Sequence, residues 1–166
     1  MKMFVQRWSG LLDRGASTLQ SRFLLLVRLY WGWQFTVTGW GKINNIPKVT
    51  GFFTDLGIPL PAFNAHFIAG LEFLGGVLLV LGLASRAVAV PLTIDMLVAY
   101  VTADREALFA VLSDRDRFYA AAPYTFLTAS LIVLIFGPGA LALDAWIGRK
   151  CTTASDHTTL RTAAKP

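Results

Sequence analysis

Four long apolar runs separated by short polar segments organise the chain: Phe23–Gly41, Ala62–Leu83, Ala87–Ala103 and Ala120–Phe136. Each is about as long as the roughly 17–25 residues a helix needs to cross a hydrocarbon core. Only Ala84, Ser85 and Arg86 separate the second run from the third, so the spacing predicts an antiparallel helical hairpin. Pro91 then falls in the first turns of the third span, where a missing N–H costs little. Ahead of the first run, Phe4, Trp8, Leu11, Leu12 and Leu19 recur at helical spacing, while Lys2, Arg7 and Arg14 lie mostly elsewhere around the helix. This predicts an amphipathic helix over residues 1–22 lying in the membrane interface. Residues 23–147 form the membrane domain, and 148–166, rich in Thr, Ala, Ser and Lys, are expected to be a disordered cytoplasmic tail. The fold class expected is all-α: an integral membrane four-helix transmembrane bundle with an N-terminal interfacial amphipathic helix.

Composition supports the same picture. Of 166 residues, 55% are hydrophobic and only 15% charged, nearly all of the charges lying between the apolar runs. Basic residues set the orientation: Lys2, Arg7, Arg14, Arg22, Arg86, Arg149, Lys150, Arg161 and Lys165 flank one side, against Lys42, Lys48, Arg105, Arg115 and Arg117 on the other. Nine against five predicts a multi-pass protein of the bacterial inner membrane with both termini in the cytoplasm. The first run carries Arg28, Gln34 and large aromatics, with no small-residue cleavage site after it, so it reads as a retained span rather than a secretory signal. No basic stripe interleaves with aromatics on a soluble face, so the net charge of +5 points to anionic lipid rather than nucleic acid. The single cysteine, Cys151, offers neither an internal disulfide nor a CxxC pair, so the chain's own thiols cannot run a redox cycle.

Three ionisable residues fall inside the apolar runs: Arg28, Glu72 and Asp95. Each costs about 2.5–3.5 kcal/mol to insert, so each is expected to face the bundle interior with a partner. Arg28, Trp31, Phe35, Thr38 and Lys42 form one stripe along the first span, with Gln34 at its edge. Glu72 lies among Ala65, Ala69 and Gly76, small residues that let a neighbouring helix approach closely. At about 1.5 Å per residue, Arg28, Asp95 and Glu72 fall roughly 8, 12 and 16 Å from the cytoplasmic ends of their spans, which an arginine side chain could bridge. One cation facing two acids in low dielectric predicts a proton shared by the carboxyls, hence a proton-handling site. Equally, the charges could only pin helix register. Tyr30, Trp31, Trp33 and Trp40 could line a pocket for a ring-shaped ligand, or form an interfacial aromatic belt. His66 has no histidine partner within the spans, since His157 lies in the tail, so no haem is expected, and no metal.

The segments Gly39-Trp-Gly-Lys42, Gly51-Phe-Phe-Thr-Asp-Leu-Gly-Ile-Pro59, Glu72-Phe-Leu-Gly-Gly, Leu81-Gly-Leu-Ala-Ser-Arg86, Asp95-Met-Leu-Val-Ala-Tyr-Val-Thr-Ala-Asp104 and Gly137-Pro-Gly-Ala-Leu-Ala-Leu-Asp144 together resemble the DoxX family of small bacterial membrane proteins. The likeness runs from roughly Arg22 to Trp146. It implies a four-span helical bundle, in a family that includes membrane subunits of thiosulfate:quinone oxidoreductase and partners of redox-defence complexes. Arg28, Lys42, Gly57, Pro59, Glu72, Arg86 and Asp144 occupy motif positions, as does Asp104 at the end of its segment; Ala142 stands where a serine is common.

The leading expectation is a quinone-associated oxidoreductase subunit. Arg28 and Glu72 or Asp95 would exchange protons with the ligand, and Tyr30, Trp31, Gln34, Thr38 and Lys42 would surround it. Electrons would come from a redox partner protein or a substrate, and Lys42 and Lys48 are the local cations a sulfur anion would need. The alternatives are a non-catalytic membrane anchor or assembly factor for a partner protein, and a small carrier of protons or weak acids, the latter disfavoured by the lack of an inverted repeat. The lipid bilayer is the expected environment, and a homo-oligomer is left open.

Overall fold

The computed structural model describes the backbone of residues 2–144 and 146, and side chains from Thr18 onward within that range. The described chain is all-helical: α1 Lys2–Ile43, α2 Ile46–Asp55, α3 Pro61–Leu81, α4 Ser85–Thr102, α5 Arg105–Phe109, α6 Arg115–Ala120 and α7 Ala122–Phe136. The four apolar runs become α1, α3, α4 and α7. Polarity is distributed as in a membrane protein. Arg28, Glu72, Ser85, Thr93, Asp95 and Ser130 are buried, whereas Leu26, Trp33, Val37, Phe67, Leu74, Ile94, Leu97, Val101 and Ile135 face outward. That much apolar surface would be an aggregation liability in water and is the ordinary exterior of a bundle in lipid.

Backbones meet most closely between α1 and α3. A Cβ at Gly39 would fall on the Phe73 backbone, and one at Gly76 on the Thr36 amide and the Gly32 carbonyl. Small residues on both helices thus allow the close approach that dispersion between lipid-embedded helices requires. The α4–α7 pair is joined by the buried Thr93 Oγ1 donating to Ser130 Oγ at 3.0 Å. Phe126 of α7 packs edge-on against Trp31 and Phe35 of α1, closing the bundle around Phe35, Leu79, Leu92, Met96 and Val133.

The α3–α4 connection differs slightly from the predicted one. The turn is Gly82-Leu83-Ala84, and Ser85 and Arg86 already belong to α4. Gly82 (φ 70°) closes α3, its N–H donating to Leu79 O and that of Leu83 to Leu78 O, a left-handed cap that glycine adopts without strain. α4 starts early because the Asp144 carboxylate accepts from the amides of Ala84 at 2.8 Å and Ser85 at 3.1 Å. Pro91 therefore sits inside α4 rather than in its first turn, leaving the Ala87 carbonyl without its helical donor.

Two further departures concern the ends. The stretch expected to be a separate interfacial helix over residues 1–22 is backbone-continuous with the first span in α1; its side chains up to Ser17 lie outside the described residues, as does the 148–166 tail. The segment after Lys42, between the first and second apolar runs, forms α2, started by Pro47 near its first position and closed by Gly57 (φ 70°). Opposite the α3–α4 hairpin, α2, α5 and α6 cover the other end of the bundle, here termed the loop end.

Candidate functional site

The loop end contains a cavity of about 400 Å³. α2 roofs it with Val49, Phe52, Phe53 and Leu56; α3 contributes Asn64, Ile68 and Glu72; α4 contributes Asp95, Met96, Ala99 and Thr102; and Lys42 enters from the end of α1. Walls are mainly apolar, and the charged groups gather in one place. Lys42 Nζ donates to Glu72 Oε1 at 2.6 Å. The Asp95 carboxyl lines the same cavity as the Glu72 carboxyl, close enough for the two charges to interact. Glu72 is 2% exposed and Asp95 8%, whereas the Lys42 side chain keeps a third of its surface accessible. Among the described residues, no donor reaches two buried oxygens of the pair, Glu72 Oε2 and Asp95 Oδ2. Because such orphans are rare in folded proteins, they mark either a shared proton or the place of a ligand.

Glu72 and Asp95 thus come together inside the bundle as expected, but the cation beside them is Lys42 and not Arg28. The cause is register. Antiparallel packing sets Gly39 level with Glu72 and Phe73, and Gly32 level with Gly76 and Val80, which carries Arg28 on to Leu79 and Gly82. Leu79 lies seven positions beyond Glu72 along α3, about 10 Å of helix rise. Arg28 is 1% exposed and satisfied by backbone: Nε donates to Leu79 O at 3.1 Å and Nη1 to Pro138 O. The guanidinium lies directly against Gly82, where a Cβ would collide with it.

Arg28 therefore belongs to a second centre at the hairpin end. There Asp144 caps α4, its own N–H donates to Gly82 O at 3.1 Å, and its charge faces Arg28. Exposed Arg86 lies against Gly137. This assembly fastens the 138–144 segment across the ends of α3 and α4. Its chemistry is consumed internally by carbonyls, amides and one carboxylate, and it has the character of a staple.

The remaining expected ligand residues do not converge on the cavity. Tyr30 is exposed and its hydroxyl accepts from Gln34 Nε2 at 3.5 Å on the outer face of α1. Trp31 packs on Phe126, and the Thr38 hydroxyl is turned back to Gln34 O and Phe35 O. Among the motif residues, Gly57 and Pro59 hold the α2–α3 connection: Pro59 lines the cavity and its carbonyl accepts from Asn64 Nδ2 at 2.7 Å. Asp104 occupies the position before α5. The α2 aromatics and Asn64 were missed as lining residues. The alternation of Val49, Phe52, Phe53 and Leu56 around polar Lys48 and Asp55 was the available signal.

The DoxX family model matches residues 23–105. CatD of Bacillus subtilis (strain 168), provisionally named an oxidoreductase, is 33% identical over 123 residues, covering 74% of this chain and 85% of that protein. The uncharacterized membrane protein Rv3486 of Mycobacterium tuberculosis is 32% identical over 136 residues, covering 78% of this chain and 83% of its own length. No solved structure matches significantly.

Proposed function

Because the chain belongs to the DoxX family of membrane proteins, we propose that its loop-end cavity holds the headgroup of a lipid-soluble quinone and that the protein is the quinone-associated subunit of a membrane redox system. The observation that carries this reading is the union of an apolar chamber with the buried Glu72–Asp95 pair and half-buried Lys42, a cluster that has unused hydrogen-bonding capacity. The volume falls in the usual range of about 300–1,000 Å³ for small-molecule sites, where apolar walls supply affinity and a few polar groups fix orientation.

When bound, a quinone supplies an acceptor for two electrons and two protons. The chain's contribution is at the carboxyls: Asp95 and Glu72 hold a proton between them in a water-poor chamber, and Lys42 balances the charge that remains. Phe52, Phe53 and Met96 line the chamber with apolar surface and would pack against the ring. Electrons reach the site from a partner redox protein, so that oxidoreductase activity belongs to the assembly. The relative CatD, by its name, supports a redox role. The excess of basic residues beside the hairpin end and the termini supports a multi-pass inner-membrane protein with that end in the cytoplasm.

The test is purification in mild detergent, followed by extraction of bound lipid and detection of quinone by absorbance and mass. Wild type is expected to retain quinone, Asp95→Asn and Glu72→Gln to lose most of it, and Arg28→Lys to keep it per folded molecule. Quinone-free wild type that also fails to bind added quinone sinks the reading and favours a membrane anchor for a partner protein.

A further inference from the structure

We infer that the cavity takes its ring ligand as an anion: a ring carrying a weakly acidic hydroxyl, ionised in place, its oxygen on the Lys42 ammonium and its charge complemented by Lys48. This rests on reading the cavity as a ring-binding site and names the chemical class of ring it favours.

The charges that reach the chamber are unevenly matched. Lys42 Nζ spends one of an ammonium's three N–H groups on Glu72 Oε1, at 2.6 Å, and its side chain keeps a third of its surface accessible. Lys48 lines the cavity from α2, is exposed, and makes no ion pair among the described residues. The acids stand behind the lysines, and Glu72 Oε2 and Asp95 Oδ2 have essentially no accessible surface. With one proton held between those carboxyls, two lysines answer a single negative charge, and the lining is short of another. Asp55 at the end of α2 and Asp104 after α4 do not line the cavity. Its neutral polar groups suit either charge state. Asn64 Nδ2 donates to Pro59 O with a second N–H and the amide oxygen to spare, and the Thr102 hydroxyl, donating to Val98 O, keeps its lone pairs.

A dicarbonyl ring brings acceptors for the spare N–H groups but no charge. A ring hydroxyl that has given its proton to solvent brings both. Hydrogen bonds with an ionised partner are roughly twice as strong as neutral ones. The attraction is also screened less among apolar walls such as Phe52, Phe53, Leu56 and Ile68 than it is in water.

The probe is a short-chain alkyl nitrophenol, whose ionisation is read from its visible absorbance. It is titrated with pH against the full-length protein in a neutral detergent, and in the same micelles without protein. Its ionisation midpoint on the protein should fall by at least about one pH unit, which corresponds to about tenfold tighter binding of the anion than of the neutral hydroxyl. The methyl ether of the probe and a short-chain alkyl benzoquinone, measured by calorimetry, report binding without that charge and should both be weaker than the ionised probe. Lys48→Gln, at an exposed position, should remove at least half of the fall. Arg115→Gln, which deletes an exposed loop-end cation outside the cavity, should leave it unaltered. A midpoint at or above that in micelles, an undiminished fall in Lys48→Gln, or an equal loss in Arg115→Gln overturns the inference, and quinone that still binds then keeps the quinone reading. A probe bound as its anion with no quinone bound supports the charge preference and removes quinone as the occupant. No binding of any of the three compounds overturns both.

Discussion

Arg28 and Lys42 share a helix and satisfy their charges by different means. Arg28 is held mainly by carbonyls, one at the end of α3 and one in the segment after α7. Its forked guanidinium can address both at once, which a lysine ammonium on a flexible stem cannot reproduce. Arg28→Lys should therefore lower the thermal midpoint in detergent, with about 1–3 kcal/mol lost for each carbonyl left unmet, while ligand affinity of the folded fraction stays within about twofold of wild type, since the site lies roughly 10 Å further along the bundle. Lys42 instead balances a carboxylate that is almost wholly buried. Lys42→Met leaves that charge without its cation, a change that typically costs about 3–5 kcal/mol unless the acid takes up a proton. The double variant Lys42→Met/Glu72→Gln should melt higher than Lys42→Met alone, as a double-mutant cycle in detergent would record. A double variant no more stable than the single would mean the two side chains are not energetically coupled.

Helix α2 is the element that covers the site. It contributes the cavity's aromatic roof without burying any residue fully, and its C-terminal end turns on Gly57 with positive φ. A Cβ there meets no neighbour, but a side chain must adopt a left-handed backbone at a cost of about 1–2 kcal/mol. Gly57→Val should accelerate amide exchange across residues 52–58 and weaken ligand binding, with little change at the hairpin end; uniform protection would show that α2 does not depend on this cap. The helices of the membrane bundle were legible, because long, mostly apolar runs have few other interpretations. The pairing of Glu72 with Asp95 was also legible, from the short hairpin and the small residues around Glu72. α2 was not, since ten residues containing a central Gly51 resemble a loop when no partner surface is known. Nor was Arg28's environment: matching ionisable groups with one another overlooks backbone carbonyls as partners, and the offset between α1 and α3 is fixed by where Gly39 and Gly76 permit contact.

At the scale of the molecule, the two ends of the bundle have different tasks: one is stapled shut by backbone hydrogen bonds, the other encloses a polar cluster beneath an amphipathic roof. The proposed orientation can be read with thiol chemistry. In a Cys151→Ser background, Ser113→Cys on the exposed α5–α6 connection should react with a membrane-impermeant maleimide in intact spheroplasts, whereas the native Cys151 should react only after permeabilisation. The reverse pattern would invert the topology.

The staple also bears on biogenesis. Arg28 and the carbonyl it needs at Pro138 are 110 positions apart, and the carboxylate that caps α4 arrives only at Asp144. During synthesis an arginine has already entered the bilayer, and a helix has begun with bare amides, before either partner leaves the ribosome. Assembly can end only when the last motif is translated, so a chain truncated before Asp144 would display an unanswered charge and an open helix start, features by which membrane quality control can recognise it as unfinished.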